Sequence, residues 1–135
     1  MAFGISTKLP LSLDPDDGLA LNKTYQEVAK QNLINLLLCI PGERVMITDF
    51  GVGMKRYLFQ NDNALLRAEI KASIIQQVAR FLSYIEILKV DFKSASENEL
   101  IDRNLLSIKI IYRITPLSTI DEINLAREND DIIVL

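Results

Sequence analysis

The stretch Pro41-Gly-Glu-Arg-Val-Met-Ile-Thr-Asp-Phe-Gly-Val-Gly-Met-Lys-Arg-Tyr-Leu-Phe59 decides how the rest of the chain is organised. It joins two strongly helical segments and is far longer than the ~4–6 residues of a typical connection. A flexible loop of this length would expose its apolar side chains to water: Val45, Met46, Ile47, Phe50, Val52, Met54, Leu58 and Phe59. We therefore predict that this connector (residues 41–59) is ordered and packed against the second helix, with the ring of Phe50 buried.

The first helix is predicted after Thr24, which forms a capping box with Glu27. Its apolar residues recur at helical spacing until Pro41-Gly42, which ends it: Tyr25, Val28, Ala29, Leu33, Leu36, Leu37 and Ile40. The second helix begins within 61–63 and runs to about Ser83. One apolar stripe consists of Leu66, Ile70, Ile74, Val78 and Phe81, and further apolar residues widen it: Leu65, Ala68, Ala72, Ile75, Ala79 and Leu82. So broad an apolar surface predicts two neighbours, a sheet on one side and the first helix or another protein on the other.

The N-terminal segment is predicted to be extended. Pro10 and Pro15 disfavour a helix, and Leu9, Leu11 and Leu13 alternate as in a short strand or clamped arm. The sequence Asp14-Pro-Asp-Asp-Gly18 lacks the oxygen ligands of a calcium loop at the required spacing. It is therefore interpreted as a turn.

Two strands are predicted after the second helix. Leu88, Val90 and Phe92 alternate with charged residues in the first strand. The second has the clearest two-residue period, with Leu106, Ile108, Ile110, Tyr112 and Ile114 on one face. After Pro116 the pattern leaves a short helix and a strand both open. The sequence thus predicts an α+β fold. Two main helices pack on a small antiparallel or mixed sheet within one domain of residues 1–135, with an N-terminal arm (residues 1–16) and a C-terminal strand or tail (residues 116–135).

Composition excludes several classes of protein. The chain has 135 residues, 49% of them hydrophobic, and a net charge of −3, which disfavours both a disordered chain and a protein that coats nucleic acid. Cys39 is the only cysteine, so an intrachain disulfide is impossible. A secretory signal and a membrane-spanning segment are not apparent, so we expect assembly in the cytoplasm.

Catalytic patterns are weak. The chain contains no histidine, which removes Ser-His and Cys-His arrangements. Gly51-Val-Gly53 lacks the third glycine of a phosphate-binding loop. Glycoside hydrolysis needs two carboxylates, one of them protonated. The only close pair of carboxylates in the connector is Glu43 and Asp49. The positive charge of Arg44 beside Glu43 disfavours the protonated form that a catalytic acid needs. We therefore expect no catalytic residue, no metal site and no cofactor.

The connector, together with the flanking helices and strands over about residues 15–115, resembles the baseplate wedge family of contractile-tailed phages, historically labelled as carrying a tail-lysozyme domain. The resemblance implies a non-enzymatic virion protein in about six copies around the tail hub. It further implies that the protein links the wedge to the first ring of the contractile sheath and nucleates sheath by sharing β-strands. The alternative is the equivalent subunit of a type VI secretion or other contractile injection apparatus. A third possibility is a peptidoglycan-degrading enzyme of the lysozyme type.

The family resemblance also implies partners: other wedge proteins with their helical core bundle, the sheath protein and the tail hub, with no nucleic acid and no membrane. Many members grip the bundle with Glu-Pro-Arg where the long helix meets the next strand, but this chain has Ser83-Tyr-Ile-Glu-Ile-Leu88 there. The candidate partner-contact residues are Glu43, Arg44, Tyr84, Glu86, Lys109, Arg113, Ile123 and Leu125. Because the predicted strand 105–115 has an edge that one hairpin leaves uncovered, we expect a chain without residues 118–135 to fold but to lose sheath.

Overall fold

The computed structural model of the chain describes residues 3–58, 60–61, 63–94, 106–128 and 131–134. The helices in these ranges are α1 (Tyr25–Leu38), α2 (Met54–Leu58) and α3 (Ala64–Phe81). Four short strands precede α1, namely β1 (Ser6–Thr7), β2 (Leu13–Asp14), β3 (Gly18–Leu19) and β4 (Leu21–Asn22). Four longer strands follow α3, namely β5 (Ile85–Ser94), β6 (Leu106–Ile114), β7 (Thr119–Glu128) and β8 (Asp131–Val134). None of the helices in this part of the chain is long and apolar enough to cross a bilayer.

The longer strands form one antiparallel sheet in the order β5-β6-β7-β8. The predicted strand pair is confirmed, with Val90 opposite Ile110 in the register of β5 and β6. The register shifts between Ile87 and Lys89, where a bulge leaves Leu88 exposed rather than facing the core. The α+β prediction is confirmed.

The two main helices begin where the sequence predicted. Thr24 and Glu27 form both hydrogen bonds of the capping box at the start of α1. At the start of α3, the Asn63 side chain accepts a hydrogen bond of 2.7 Å from the amide of Leu66. Each helix buries one face in a common core with the inward residues of the sheet: Ala29, Leu33, Leu36 and Leu37 from α1, Leu66, Ile70, Ile74 and Val78 from α3, and Ile108, Ile110, Tyr112 and Ile114 from β6.

The C-terminal segment is strand, which settles the open choice between helix and strand. β7 pairs along β6, so the edge of β6 that we expected to be open is covered. Ile123 and Leu125 on β7 are fully buried in the core. This corrects two expectations: these residues are core residues rather than partner contacts, and removal of residues 118–135 removes part of the core.

The N-terminal arm is paired and fastened to α1. β1 pairs with β4, and β2 pairs with β3 across the predicted turn, where the amide of Asp16 donates to Asp14 Oδ1. The side chain of Gln31 on α1 accepts from the amide of Leu9 at 3.0 Å and donates to the carbonyl oxygen of Thr7 at 3.1 Å. It also accepts from Asn22 at 2.8 Å. One glutamine therefore fixes the arm to the first helix.

Candidate interaction surfaces

The first half of the connector forms an exposed loop over residues 41–49. The amide of Gly42 donates to the carbonyl oxygen of Thr48 at 2.8 Å and closes the loop at its base. Val45 and Met46 near its tip are 91% and 93% exposed. The prediction that this half is packed is therefore wrong: a backbone hydrogen bond closes the loop, and its side chains remain exposed. Adjacent large apolar side chains held in solvent are typical of a contact surface.

The second half of the connector is packed as predicted, and it completes the C-terminal end of α1. The last carbonyl groups of a helix lack partners within the helix. Here the amide of Val52 donates a hydrogen bond of 3.0 Å to the carbonyl oxygen of Leu36. The amide of Gly53 donates one of 2.9 Å to the carbonyl oxygen of Cys39. Val52 and Met54 are buried, and Met54 is the first residue of α2, a short helix that the sequence pattern did not indicate. The predicted packing of Phe59 lies outside the described residues.

A polar contact that the sequence did not reveal holds the connector to α3. The side chain of Gln77 accepts from the amide of Gly51 at 3.2 Å and donates to the carbonyl oxygen of Asp49 at 3.0 Å. Phe50 is only half-buried and packs edge-on against Phe81, with ring centroids 5.1 Å apart. The guanidinium of Arg44 lies 4.4 Å from the centre of the Phe50 ring. The connector therefore packs against α3, as predicted, through its middle residues.

A cleft of about 570 Å³ lies between the end of α1 and the connector. Its lining residues are Asn32, Asn35, Leu38, Cys39, Glu43, Arg44, Phe50 and Leu82. Glu43 accepts a hydrogen bond of 3.0 Å from the amide of Ile40, which ties the start of the connector to the end of α1. Burial raises the pKa of the Cys39 thiol, and Glu43 adds to the effect, so this cysteine is a poor nucleophile.

The carboxylates of the connector are not arranged as a glycosidase pair. Glu43 is the one carboxylate among the lining residues of this cleft, while Asp49 lies 3.5 Å from Arg80 in an exposed ion pair. Hydrolysis of a glycoside requires two carboxyl groups that flank the same bond. The described residues also contain no group of three side chains suited to bind a metal ion.

Tyr84 and Glu86 mark the junction between α3 and β5. The hydroxyl of Tyr84 accepts a hydrogen bond of 3.0 Å from Asn32 on α1. Its ring lines an apolar groove of about 410 Å³ together with Tyr25, Val28, Ala29, Ile114, Pro116 and Leu117. Glu86 lies directly opposite Arg113 on β6, and their side chains form an exposed ion pair of 3.4 Å.

Lys109 lies on the same face of the sheet as Arg113, since they are four residues apart on one strand. Lys109 forms an ion pair of 2.7 Å with Glu122 on β7, and its proximity lowers the pKa of that carboxyl. The structure thus brings Glu86, Lys109 and Arg113 to one charged sheet face, and it places Glu43 and Arg44 elsewhere, at the cleft. Ile123 and Leu125 belong to neither group.

The family model of the baseplate wedge protein gp25 matches residues 23–116, from the cap of α1 to the end of the β5–β6 hairpin. The chain belongs to this family. The match confirms the resemblance inferred from the connector. It covers the three helices, β5 and β6, whereas β7, which also contributes to the core, and β8 lie beyond it.

Solved structures of similar fold agree with membership of the gp25 family. A chain in the cryo-electron microscopy structure of the anti-feeding prophage (AFP) baseplate, six-fold symmetrised, matches with a TM-score of 0.67 and 26% identity over 81% of this chain and 83% of that one. The crystal structure of a putative tail lysozyme from Geobacter sulfurreducens matches with a TM-score of 0.62 and 25% identity over 78% and 95%. No curated protein sequence matches the chain. The protein is therefore a structural component of a contractile-tail baseplate.

Proposed function

We propose that this gp25-family protein joins a phage-tail baseplate to the first ring of the contractile sheath and nucleates sheath assembly by sharing β-strands. Family membership and the similarity to a six-fold symmetrised baseplate support six copies around a tail hub. The observation that carries the strand-sharing proposal is the incomplete outer edge of the sheet at β7. Main-chain hydrogen bonds at such an edge join separate chains.

The outer edge of β7 is only half covered. β8 pairs with Leu125–Glu128, while the first part of β7, Thr119–Asn124, has β6 on one side and no strand among the described residues on the other. β8 is itself an edge strand of four residues. A strand from another chain could form hydrogen bonds with the unpaired backbone groups of both segments, the first part of β7 and the outer side of β8.

The opposite edge of the sheet is less suited to strand addition. β5 contains the bulge at Leu88, and it carries the exposed lysines Lys89 and Lys93. Bulges and lysines are two devices by which proteins protect edge strands from pairing. We therefore place the sheath contact at β7 and β8 rather than at β5.

Truncation after Glu128 tests this placement. We expect a chain without residues 129–135 to fold, because Ile123 and Leu125 remain, and to enter baseplates whose tails lack sheath. Electron microscopy of particles assembled with the truncated chain is the measurement. The control is the double variant Lys89→Ser and Lys93→Ser on β5, which should leave sheath length unchanged. Full-length contractile sheaths on truncated particles would refute a sheath contact at β8, since the truncated chain keeps the edge of β7.

The proposed contacts with other wedge proteins lie at the junction. Tyr84 lines the apolar groove, and Glu86, two residues further along the chain, is exposed. Both residues are therefore available for contact with a helical bundle. The similarity to the anti-feeding prophage baseplate favours a second candidate, the equivalent subunit of another contractile injection apparatus. A type VI secretion apparatus belongs to the same alternative. Genes for tail fibres and capsid beside this gene would identify a phage, with assembly in the host cytoplasm.

We further propose that the protein is not an enzyme. The absence of histidine from the sequence, the single carboxylate of the cleft and the ion pair of Asp49 with Arg80 support this. We expect no clearing of peptidoglycan in a zymogram of the purified protein. Clearing that disappears in the Glu43→Gln variant would show lysozyme activity and would overturn this part of the proposal.

A further inference from the structure

Asp121 points inward from β7, toward the core. Side chains alternate between the two faces of a strand, so Asp121 shares the inward face with Ile123 and Leu125. Ile123 and Leu125 are fully buried, whereas the side chain of Asp121 is 22% exposed. Asp121 belongs to the part of β7, Thr119–Asn124, that has no strand on its outer side among the described residues. A charged group therefore lies at the margin of the core, beside the open edge of the sheet.

Three groups hold the carboxylate of Asp121 in this position. The hydroxyl of Tyr112, directly opposite on β6, donates to Asp121 Oδ2 at 3.2 Å. The amide of Glu122 donates to Asp121 Oδ1 at 2.8 Å, and Nζ of Lys30 on α1 lies 3.8 Å from Oδ2. Burial, and after it the charge of Asp121, raises the pKa of the Tyr112 hydroxyl, so this hydroxyl keeps its proton and remains a donor. These contacts keep the carboxylate at the edge.

A strand added along Thr119–Asn124 would cover the surface of Asp121 that is still exposed. Removal of water from a charged group costs free energy unless another group replaces the lost hydrogen bonds. A carboxylate can accept about four hydrogen bonds, and the three contacts of Asp121 leave a site for one more. An apolar residue on the added strand would leave this site empty, whereas a hydrogen-bond donor would fill it.

We propose that Asp121 is a specificity-determining residue of this edge. It prevents copies of the chain from pairing through β7, and it selects a donated strand with a hydrogen-bond donor at the inward position beside it. The inference rests on the proposed sharing of β-strands and adds which strand the edge accepts. An inward-pointing charge is one of the devices that protect an edge strand. Unlike the bulge of β5, such a charge can be satisfied by a strand of matched sequence.

A second copy of this chain is disfavoured at the same edge. Two copies would extend the sheet by antiparallel pairing of Thr119–Asn124, with the helices of both copies on one face. The two longest registers of this kind place either Asp121 opposite Asp121 or Glu122 opposite Glu122. Like charges directly opposite each other on paired strands are destabilising. In the second register Asp121 would also face Ile123, which has no donor.

Leucine substitutions at two neighbouring positions test the protection against self-pairing. Asp121→Leu removes the inward charge, whereas Glu122→Leu removes an outward charge and leaves Asp121 in place. In sedimentation velocity we expect the parent chain and Glu122→Leu to be monomers. Asp121→Leu should dimerise, because the register that pairs position 121 with itself then carries no like charges. A monomeric Asp121→Leu chain, or equal dimerisation of the two variants, would refute the protective role.

A second substitution covers the case in which Asp121→Leu does not fold. Leucine leaves the buried hydroxyl of Tyr112 without its acceptor, and an unsatisfied buried donor is destabilising. Asp121→Asn removes the charge and keeps an acceptor for Tyr112. We expect this chain to unfold cooperatively in urea and to self-associate at least tenfold more tightly than the parent chain. Self-association no tighter than that of the parent would contradict the proposal.

An added strand in a fixed register tests the selection of a donor. β8 pairs antiparallel with β7 and places Val134 opposite Leu125. Four positions further along this register, the third residue added after Leu135 is opposite Asp121. The probe is therefore the chain extended by Val-Lys-X-Thr-Thr, in which X is threonine or valine. Both side chains are β-branched and similar in shape, but only threonine has a hydrogen-bond donor.

Urea unfolding of the extended chains measures the preference. We expect the extension with threonine to raise the midpoint above that of the parent chain, and the extension with valine to raise it less. In the Asp121→Leu background the order should reverse, because an apolar residue then lies beside an apolar one. Equal midpoints of the two extensions in the parent background, or the same order in both backgrounds, would overturn the selection of a donor.

Electron microscopy of assembled particles separates this inference from strand sharing itself. We expect particles with Glu122→Leu to carry full-length sheaths. Particles with Asp121→Leu should lack sheath, because the donor of the incoming strand has lost its acceptor. Full-length sheaths on both kinds of particle would refute the role of Asp121 in sheath attachment. Strand sharing would still be supported in that case if truncation after Glu128 abolishes the sheath, so the two failures are distinguishable.

Discussion

A chain that ends at Leu117 should not fold, because it loses β7 and with it part of the core. Ile123 and Leu125 are fully buried between the helices and the sheet. Truncation of one such side chain costs about 2–5 kcal/mol, and the whole domain is stabilised by about 5–15 kcal/mol. The truncation also uncovers β6 along the whole register from Ser107 to Ile114. The combined loss is comparable to the total free energy of unfolding.

Circular dichroism and urea unfolding measure this effect. We expect the chain of residues 1–117 to lack a cooperative urea transition, whereas a chain of residues 1–128 retains one. The longer chain is the matched control, since it keeps β7 and loses only residues 129–135. A cooperative transition in the shorter chain would show that α1, α3 and the β5–β6 hairpin form a sufficient core by themselves.

The elements with strong periodicity were predictable from the sequence. α1 and α3 begin at the predicted caps, and β6 buries Ile108, Ile110, Tyr112 and Ile114 as its two-residue period indicated. In each case a local signal and the burial of one face require the same structure. The family could be inferred for the same reason, since the connector between these elements is long and specific.

The connector shows where sequence reasoning reached its limit. Its apolar content predicted burial throughout, yet the loop of residues 41–49 is exposed and the burial begins at Phe50. Hydrophobicity indicates that a segment has apolar surface to cover, but not whether the cover comes from the same chain or from another protein. The contact of Gln77 with Gly51 could not be predicted from the sequence either, because a single polar residue on a helix has many possible partners.

The candidate contact residues divide into those that the structure leaves exposed and those that it buries in the core. Glu86 and Arg113 were predicted separately, and the register of β5 and β6 brings them into an ion pair. Ile123 and Leu125 were assigned to a partner surface because they alternate over only a few residues. The sequence did not indicate which strand they would pair with. Several residues that the sequence predicted to widen the apolar stripe of α3 are exposed in the structure, namely Leu65, Ala68, Ala72, Ile75 and Ala79.

Replacing Gly51 with alanine should destabilise the protein by about 3 kcal/mol or more. The backbone of Gly51 has a φ of +113°, which L-residues rarely adopt, and an added Cβ would collide with the carbonyl group of Cys39. That carbonyl oxygen accepts the amide of Gly53, so moving it disturbs the hydrogen bonds that complete α1. Gly42→Ala is the matched control, because its φ is +98° and nothing lies within 4 Å of the added atom. We expect it to cost about 1 kcal/mol, from backbone strain alone. Urea unfolding of the two variants decides the matter, and equal shifts of their midpoints would mean that the contact with Cys39 relaxes without cost.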